Sequence, residues 1–284
     1  MTDTSNGAII FRGMTRAQLD DAYDNGKVVP DAAARRDAWI ARSAQIRNDN
    51  PELLDLAYGP AARNRIDVFR CGKERAPLFA FIHGGYWQRN HKDLFACMAE
   101  GPLARGCDVA LIGYTLAPEV TLTELVAEIH AAIRWLRREG PGRGFGTGKL
   151  VVSGWSAGGH LTASALPLDE VDAGLAISGI YDVEPCRLNY LNDKLRLTAT
   201  EAEAMSPIRH LPQRRTPLTV AFGTGELPEL QRQSREYHRA RQDAGLPGVL
   251  RPLESHNHFS IMDELTSPQG RLTAAVNDLI VALR

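Results

Sequence analysis

The residues GWSAG at positions 154–158 fit the pattern G-x-S-x-G, with Ser156 at its centre. An aliphatic run at 150–154 precedes the serine and is typical of a buried strand, and a helical run of small residues begins at Ala157. A serine on a tight turn between a strand and a helix has its hydroxyl exposed above the sheet edge, which is the setting of a nucleophile elbow. Because the first N–H groups of a helix favour negative charge, we expect the amide of Ala157 to bind an oxyanion that forms beside Ser156.

A second glycine-rich turn, HGGYW at 83–87, follows an apolar run at 78–82. Paired glycines let the backbone approach a ligand closely and present N–H groups with no Cβ in the way. A fold with a nucleophile elbow has its second oxyanion donor in this region, and the N–H of Gly85 is the candidate. Aromatic pairs after a strand often only pack, but Tyr86 and Trp87, together with residues of the segment 182–216, are also candidates for lining a pocket.

A serine hydroxyl is a weak nucleophile unless a base takes its proton, and the base needs an acidic group to orient it. In folds with this elbow, the acid and then the histidine follow the serine along the chain. Glu226 follows the predicted strand at 218–222, and His258 follows the predicted strand at 249–253. We therefore predict a catalytic triad of Ser156, Glu226 and His258.

Two other acids compete with Glu226 for the acidic position. Glu229 is close in sequence, but it would lie in the first turn of a helix, where a carboxylate often interacts only with the helix dipole. Asp182 follows an earlier predicted strand, where an acid could also be placed.

Two other histidines compete with His258 for the role of base. His256 lies in the same loop, but His258 is favoured because it directly precedes an apolar segment that begins at Phe259. His160 lies one helical turn after the serine, and we expect it to pack or to hydrogen-bond locally.

Short β-branched or aliphatic runs alternate with amphipathic stretches from residue 66 onward. The predicted strands are 66–69, 78–82, 109–113, 150–154, 175–178, 218–222 and 249–253. Several are apolar at consecutive positions, as expected when helices cover both faces of a parallel sheet. The alternation predicts a doubly wound α/β fold.

Three helices are predicted together with their ends. The apolar residues of 122–136 recur with a period of 3.6, and Thr121 with Glu124 forms a capping box before them. A second helix is predicted over 228–244. The last helix is predicted to begin at Ser267–Pro268, with the serine as N-cap and the proline as first helical residue.

The chain divides by composition into an N-terminal segment and a main domain. Residues 1–50 are polar and rich in Ala and Arg, and they are predicted to be an accessory segment, helical around 16–23 and 31–47. Residues 51–284 are predicted to form the α/β domain. Within it, the long excursion at 182–216 predicts either a lid over the site or a solvated helical insertion without substrate contact.

Composition and charge exclude several classes of protein. The chain has 33 Lys and Arg against 34 Asp and Glu, a formal net charge of -1, so it lacks the basic surface of a nucleic-acid-binding protein. No apolar run approaches the ~18 residues of a membrane-spanning helix. The N-terminus has neither the positive start nor the apolar core of a secretory signal. We therefore expect a cytoplasmic protein with no nucleic-acid or membrane partner.

Other motifs fail as ligand sites. The glycines within 142–148 follow a helix and precede a strand, which is the reverse of a dinucleotide-binding fingerprint. His256 and His258 lack the helical spacing or the cysteine partners of a zinc site. The four cysteines contain no C-x-x-C pair and form no disulfide framework. We expect no metal and no cofactor.

With these residues placed, the chain resembles the kynurenine formamidase (arylformamidase) group of α/β-hydrolases. The matching segments are IHGGYW at 82–87, GYTLAPEVTL at 113–122, GWSAGGHL at 154–161, GELPELQRQS at 225–234 and HNHFSIMDEL at 256–265. The resemblance spans residues 57–265 and implies an α/β-hydrolase fold, a doubly wound and mostly parallel eight-stranded sheet flanked by helices.

The resemblance also implies roles for individual residues. The HGGYW turn of this group contributes backbone N–H donors, which here fall on Gly84, Gly85 and Tyr86, and the family's triad carries onto the three residues predicted above. Two positions differ from the group's usual pattern. Its acid is commonly an Asp where this chain has Glu226, and a histidine is frequent where this chain has Trp155.

The implied activity is hydrolysis of a small acyl amide or ester through an acyl-enzyme, with N-formylkynurenine or a related aryl formamide as the substrate. A general short-chain or aryl carboxylesterase would share every catalytic residue, so the sequence does not separate the two. A catalytically silent binding module is disfavoured because all three triad positions are filled. The sequence leaves open whether two copies form a homodimer.

Overall fold

The computed structural model describes residues 7–283. Its strands are β1 (Ile9–Phe11), β2 (Met14–Thr15), β3 (Leu56–Ala57), β4 (Arg65–Phe69), β5 (Leu78–Ile82), β6 (Asp108–Ile112), β7 (Leu150–Trp155), β8 (Ala173–Ile177), β9 (Leu218–Gly223) and β10 (Gly248–Leu253). Its helices are α1 (Arg16–Asp21), α2 (Asn25–Val28), α3 (Ala32–Asp49), α4 (Glu100–Ala104), α5 (Leu122–Glu139), α6 (Ala157–Ala165), α7 (Glu184–Leu188), α8 (Asn192–Leu195), α9 (Ala199–Ala204), α10 (Pro228–Asp243) and α11 (Arg271–Ala282). Short 3₁₀ helices span Lys92–Ala99, Pro141–Arg143 and Ser260–Leu265.

Strands β3 to β10 form one eight-stranded sheet in the order β10-β9-β8-β7-β5-β6-β4-β3. All neighbours from β6 to β10 pair parallel, and β4 and β3 pair antiparallel at one edge. The predicted doubly wound, mostly parallel sheet is confirmed. The chain passes from β5 to β6 on one side and later to β7 on the other. Such a reversal of strand order opens a crevice at the carboxyl ends of the strands.

The central strand β5 shows why the sheet is buried on both faces. Alternate residues of a strand point to opposite faces. Leu78 and Ile82 pack in an apolar cluster with Ile129 of α5 on one face, and Phe79 packs in a second cluster with Val276 of α11 on the other. Every residue of β5 is buried, and its sequence is a continuous apolar run.

Helix α5 begins as predicted. The hydroxyl of Thr121 accepts a hydrogen bond of 3.2 Å from the Glu124 amide, and the Glu124 carboxylate accepts one of 2.8 Å from the Thr121 amide. The capping box therefore satisfies two N–H groups that have no partner inside the helix. Helix α10 starts at Pro228 and ends at Asp243, one residue before the predicted end.

The predicted start of the last helix is wrong. Helix α11 begins at Arg271 with Gly270 as N-cap, not at Ser267–Pro268. The Ser267 carbonyl instead accepts a 3.1 Å hydrogen bond from the Gly270 amide, which closes a turn. The Glu264 carboxylate accepts from the Arg271 amide, so it takes the capping role that was predicted for the serine.

The N-terminal segment packs onto the sheet domain through its longest helix. Helix α3 contacts the 3₁₀ helix Lys92–Ala99, and its buried Trp39 lies 6.2 Å from Phe95 and 5.9 Å from Trp155 between ring centroids. Its Arg42 forms a bidentate ion pair with Glu100. The predicted helices at 16–23 and 31–47 correspond to α1 and α3.

The excursion at 182–216 contains the short helices α7, α8 and α9. Several of its apolar side chains are buried, Cys186 and Leu191 among them. The Tyr190 amide donates a 2.7 Å hydrogen bond to Asp20 of α1, so the excursion is tied to the N-terminal segment. Among the described residues, no helix combines the length and the apolar character that crossing a membrane requires.

Candidate active site

The reversal of strand order brings the two glycine-rich turns together. Strands β5 and β7 pair in register, with Ile82 opposite Gly154, so the HGGYW and GWSAG turns leave the sheet side by side. A Cβ built on Gly84 would lie 2.6 Å from the Trp155 carbonyl oxygen and 3.0 Å from the Ser156 Cβ. Only a glycine therefore allows the first turn to approach the serine this closely.

Ser156 occupies a strained turn between β7 and α6. Its φ of 58° and ψ of -116° lie outside the regions that L residues ordinarily adopt, at a cost of about 1–3 kcal/mol. A side chain at Gly158 would clash with the backbone oxygen of Ile82, which explains the small residue there. The serine is 3% exposed and lines a cavity, so its hydroxyl is available to a bound ligand. This geometry is that of a nucleophile elbow.

Glu226 and His258 form a buried hydrogen-bonded pair beside this turn. His258 Nδ1 lies 3.1 Å from Glu226 Oε2, and the two residues are 3% and 5% exposed, respectively. A carboxylate only accepts hydrogen bonds, so the imidazole carries its proton on Nδ1. In the neutral imidazole the other nitrogen, Nε2, therefore carries the lone pair that a general base requires.

The second oxygen of Glu226 is held by two donors. The Ser178 hydroxyl and the Gly223 amide each donate a 2.6 Å hydrogen bond to Glu226 Oε1. Both oxygens of the carboxylate therefore have fixed partners, and its orientation toward His258 is set. Ser178 was not among the residues predicted for the site. Its position directly after β8, at the same sheet edge as β9, was the signal in the sequence.

Trp155 holds the loop that carries the histidine. Its indole Nε1 donates a 2.8 Å hydrogen bond to the His258 carbonyl, and its ring centroid lies 5.0 Å from that of the imidazole. Phe259 packs edge-on against the same indole at 5.6 Å. The elbow residue before the serine thus contacts the loop that carries the base.

The Gly84–Gly85 peptide is oriented by its neighbours. The Gly84 carbonyl accepts hydrogen bonds of 2.8 Å from His83 Nδ1 and 3.0 Å from Asn90 Nδ2. In a trans peptide the carbonyl and the following N–H point in opposite directions, so the Gly85 N–H points away from these partners. Burial lowers the pKa of His83 to about 3, which keeps this ring neutral.

The other predicted backbone donor lies at the start of α6. Ala157 is the first residue of that helix, and the N–H groups of the first turn have no acceptor inside the helix. Gly85, Tyr86 and Ser156 line one cavity of about 290 Å³ together with His258. The predicted nucleophile, the predicted base and two of the predicted amide donors, Gly85 and Tyr86, therefore meet at a single cavity.

Trp87 does not line this cavity, in contrast to the expectation that it contributes to the substrate pocket. Its indole is fully buried, and Nε1 donates a 3.3 Å hydrogen bond to His160 Nδ1. The other nitrogen of His160 contacts the Met205 carbonyl at 2.8 Å. Burial lowers the pKa of His160 to about 4. Both residues belong to the core, and His160 packs there, as expected.

The remaining competitors for the acid and base positions have charged or polar partners of their own. Glu229 pairs with Arg232 at 2.7 Å. Asp182 contacts Arg209 at 3.3 Å. His256 Nε2 lies 3.0 Å from a carboxylate oxygen of Glu264.

The N-terminal segment contributes much of the cavity lining, which was not predicted from the sequence. Asn25, Arg36 and Trp39 all line it, whereas Tyr190 is the lining residue from the excursion at 182–216. The helical spacing of 32, 33, 36 and 39 places these lining residues on one face of α3. That spacing was the signal in the sequence, but it does not show what the face contacts.

Three carboxylates that lie within metal-binding distance of one another are already neutralised by basic side chains. Asp55, Asp67 and Asp93 form this group. Lys92 Nζ contacts all three at 2.6–2.7 Å, and Arg47 also pairs with each. Because two cations occupy the position between the carboxylates, the group is an ion-pair network.

Comparison with known proteins identifies the family. A family model described as BD-FAE matches residues 66–173, which include both glycine-rich turns. A kynurenine formamidase from Drosophila melanogaster is 30% identical over 229 residues, which cover 74% of this chain and 75% of that protein. The chain belongs to the kynurenine formamidase family. The family predicted from the sequence motifs is confirmed.

Two other proteins match this member of the kynurenine formamidase family over nearly the whole length of the chain. A kynurenine formamidase from Danio rerio is 27% identical over 291 residues, which cover 95% of this chain and 98% of that protein. A crystal structure from Silicibacter sp., provisionally described as a thioesterase, superposes with a TM-score of 0.82 at 31% identity, covering 92% of this chain and 99% of that one. The fold is an α/β-hydrolase fold, and the protein is a hydrolase.

Proposed function

We propose that this protein removes the formyl group from an aryl formamide, with N-formylkynurenine as the substrate, and that Ser156, Glu226 and His258 are its catalytic triad. The observation that carries the proposal is the 3.1 Å contact between His258 Nδ1 and Glu226 Oε2 beside a serine on a strained elbow. Membership of the kynurenine formamidase family supports the choice of an amide substrate.

The first half of the reaction forms a formyl-enzyme. His258 Nε2 takes the proton of the Ser156 hydroxyl as the serine oxygen attacks the formyl carbon. The N–H groups of Gly85 and Ala157 then stabilise the oxyanion, and the loss of one such donor typically costs about 10²- to 10³-fold in rate. Glu226 keeps the imidazole in the correct tautomer and stabilises its positive charge.

The first half ends when His258 protonates the departing nitrogen, so that the C–N bond breaks, the aryl amine leaves and the formyl-enzyme remains. The second half of the reaction releases formate. Water then gives a proton to His258 and attacks the formyl-enzyme, and Ser156 is restored when the imidazole returns its proton. One amide and one water yield one amine and one formate.

The cavity matches a small acyl group on an aromatic leaving group. Its volume of about 290 Å³ is modest, and its lining includes six aromatic side chains, which are Trp39, Tyr86, Phe95, Trp155, Tyr190 and Phe259. Aromatic side chains favour the offset or edge-on packing of an aryl ring. We propose that the N-terminal segment and the excursion at 182–216 cover the aryl group, because both contribute lining residues.

A second candidate activity is hydrolysis of an ester or thioester, which is favoured by the relative from Silicibacter sp. that is described as a thioesterase. Comparing kcat/KM for N-formylkynurenine, p-nitrophenyl acetate and an acetyl thioester separates the two. We expect the formamide to be the best substrate. An ester that is better by orders of magnitude would contradict deformylation. The cytoplasmic location stays a prediction. Measuring the molecular mass in solution would show whether the protein forms a homodimer.

A further inference from the structure

Two arginines at the active-site cavity have no acidic partner. Arg36 of α3 and Arg89, just after the HGGYW turn, both line the cavity and are exposed to solvent. Within residues 7–283, neither guanidinium forms an ion pair with a carboxylate, although most arginines near them do. We call these two residues the cationic rim.

The contrast is clearest along helix α3. Three of its four arginines, Arg35, Arg42 and Arg47, form ion pairs with acidic residues. Arg36 is the fourth, and it lies on the cavity-lining face with the small residues at 32–33. Because the short side chains of Ala32 and Ala33 line the same cavity, the guanidinium of Arg36 can reach a ligand that fills it.

The charges of the lining favour an anion. Among the described lining residues, Asp24 is the only carboxylate, and it is outnumbered by the cationic rim. Burial raises the pKa of Tyr190, the charge of Asp24 raises it further, and the charge of Arg89 lowers it. The charges of Asp24 and Arg89 therefore both act on the part of the cavity that Tyr190 lines. The unpaired arginines can form charge-assisted, bidentate hydrogen bonds with a planar carboxylate.

A buried acceptor in the same lining is also without a partner. The Tyr86 hydroxyl donates its proton to the Tyr23 carbonyl at 2.5 Å, so it must accept the 2.8 Å hydrogen bond from the Asn25 side chain. This fixes Asn25 with its NH₂ group toward Tyr86. Its Oδ1 is buried and, within the described chain, accepts no hydrogen bond. A ligand that carries an N–H donor beside an anionic group would satisfy it.

We propose that Arg36 and Arg89 bind a carboxylate on the leaving group of the substrate, so that the enzyme selects aryl formamides that carry this carboxylate over those that lack it. This proposal rests on the deformylase function proposed above and extends it to substrate selection. The rim acts on the leaving group, whereas the oxyanion donors act on the acyl group. Loss of the cationic rim is therefore expected to raise KM and to change kcat little.

The test compares two substrates in which the same position carries either a carboxylate or an uncharged carboxamide. These are N-formylkynurenine and its α-carboxamide, assayed with the wild-type enzyme, Arg36→Gln, Arg89→Gln and the double variant. A charge-assisted hydrogen-bond pair is worth roughly 10- to 100-fold, so we expect the wild type to prefer the carboxylate by that factor in kcat/KM. Each single variant should lose part of the preference and the double variant nearly all of it, with activity on the carboxamide unchanged within about twofold.

Arg215→Gln is the matched control. Arg215 is an exposed arginine that lies near the end of α10, outside the cavity lining, and it also forms no ion pair in the described chain. This variant should keep the wild-type preference. Equal use of the two substrates by the wild type would overturn the proposal. A double variant that loses activity equally on both substrates would also overturn it, because that result indicates a structural role for the arginines.

Failure of the proposed function gives a different result. If the wild type hydrolyses neither formamide but cleaves esters, the deformylase function is wrong. The acetate esters of 4-hydroxybenzoate and 4-hydroxybenzamide then test the rim independently. A preference for the carboxylate ester that disappears in the double variant would retain the rim as an anion-selecting site, and no preference would reject it.

Discussion

The indole Nε1 of Trp155 donates a 2.8 Å hydrogen bond to the backbone carbonyl of His258. The residue before the proposed nucleophile therefore contacts the loop that carries the proposed base, although the two are far apart in sequence. A hydrogen bond from the elbow to this loop limits movement of the imidazole relative to Ser156. Small displacements of catalytic groups are costly, so this contact is expected to matter for the rate.

Trp155→Phe removes the donor and keeps an aromatic ring against the imidazole. One lost hydrogen bond to a buried carbonyl predicts a fall in kcat/KM of about 10-fold with an unchanged fold by circular dichroism. Trp135→Phe is the control, since that indole is buried on α5 away from the cavity. Equal losses in both variants would show that the Trp155 contact has no specific role.

Glu226→Gln tests the choice of the acid. Glutamine keeps the size of the side chain but does not hold the Nδ1–H tautomer, so we predict a fall in kcat of about 10³- to 10⁴-fold. Ser156→Ala and His258→Ala should cost more, about 10⁵- to 10⁶-fold. Glu229→Gln should retain most of the activity, because Glu229 pairs with Arg232 and not with the histidine. A larger loss in Glu229→Gln than in Glu226→Gln would mean that the acid is assigned incorrectly.

Ser178→Ala removes one of the two donors to Glu226 Oε1 and leaves the Gly223 amide in place. The carboxylate loses one restraint on its orientation, so kcat should fall by about 10-fold, which is the effect of one charge-assisted hydrogen bond. Ser153→Ala is the matched control. The Ser153 hydroxyl donates to the Leu175 carbonyl at 2.8 Å within the sheet, so its loss should affect stability rather than kcat.

The sequence predicts most of the sheet and the three triad positions because both follow from local patterns. Apolar runs mark the strands, and β5 lies at its predicted bounds. The nucleophile, acid and base each follow a strand, and the carboxyl ends of parallel strands meet at one edge. Sequence reasoning also places the capping box of α5, where Thr121 and Glu124 are separated by one helical turn.

The features that were missed depend on contacts between distant segments. Ser178 has no motif of its own, and its role follows from β8 and β9 being neighbours in the sheet. The cationic rim depends on α3 packing over the crevice, which amphipathic spacing alone does not determine. Gly270 replaces Ser267 as a helix cap because Glu264 supplies the carboxylate from another element.

The ion-pair network around Lys92 predicts the acid sensitivity of the fold. Burial raises the pKa values of Asp55 and Asp93, but Lys92, Arg47 and, for Asp93, His91 outweigh it and lower both. A carboxylate with a lowered folded pKa stabilises the fold above its unfolded pKa, and that stability is lost as the pH falls through the folded pKa. The free energy of unfolding should therefore fall as the pH drops below about 4.

Lys92→Met tests the network directly. Removing the buried cation leaves Arg47 to pair with all three carboxylates, and the uncompensated negative charge predicts a loss of about 3–5 kcal/mol at neutral pH. In the variant, the repulsion between the three carboxylates is relieved as they take up protons. The difference in the free energy of unfolding between variant and wild type should therefore become smaller from pH 7 to pH 4. Urea unfolding at several pH values measures this. A difference in the free energy of unfolding that stays constant with pH would contradict the electrostatic explanation.

The proposed chemistry depends most on Ser156 being an activated nucleophile. Reaction with a fluorophosphonate, followed by intact mass and peptide mapping, measures this directly. We predict one adduct per chain, on Ser156, which is absent in Ser156→Ala and forms far more slowly in His258→Ala. An adduct on another residue, or equal labelling rates in wild type and His258→Ala, would contradict the triad mechanism.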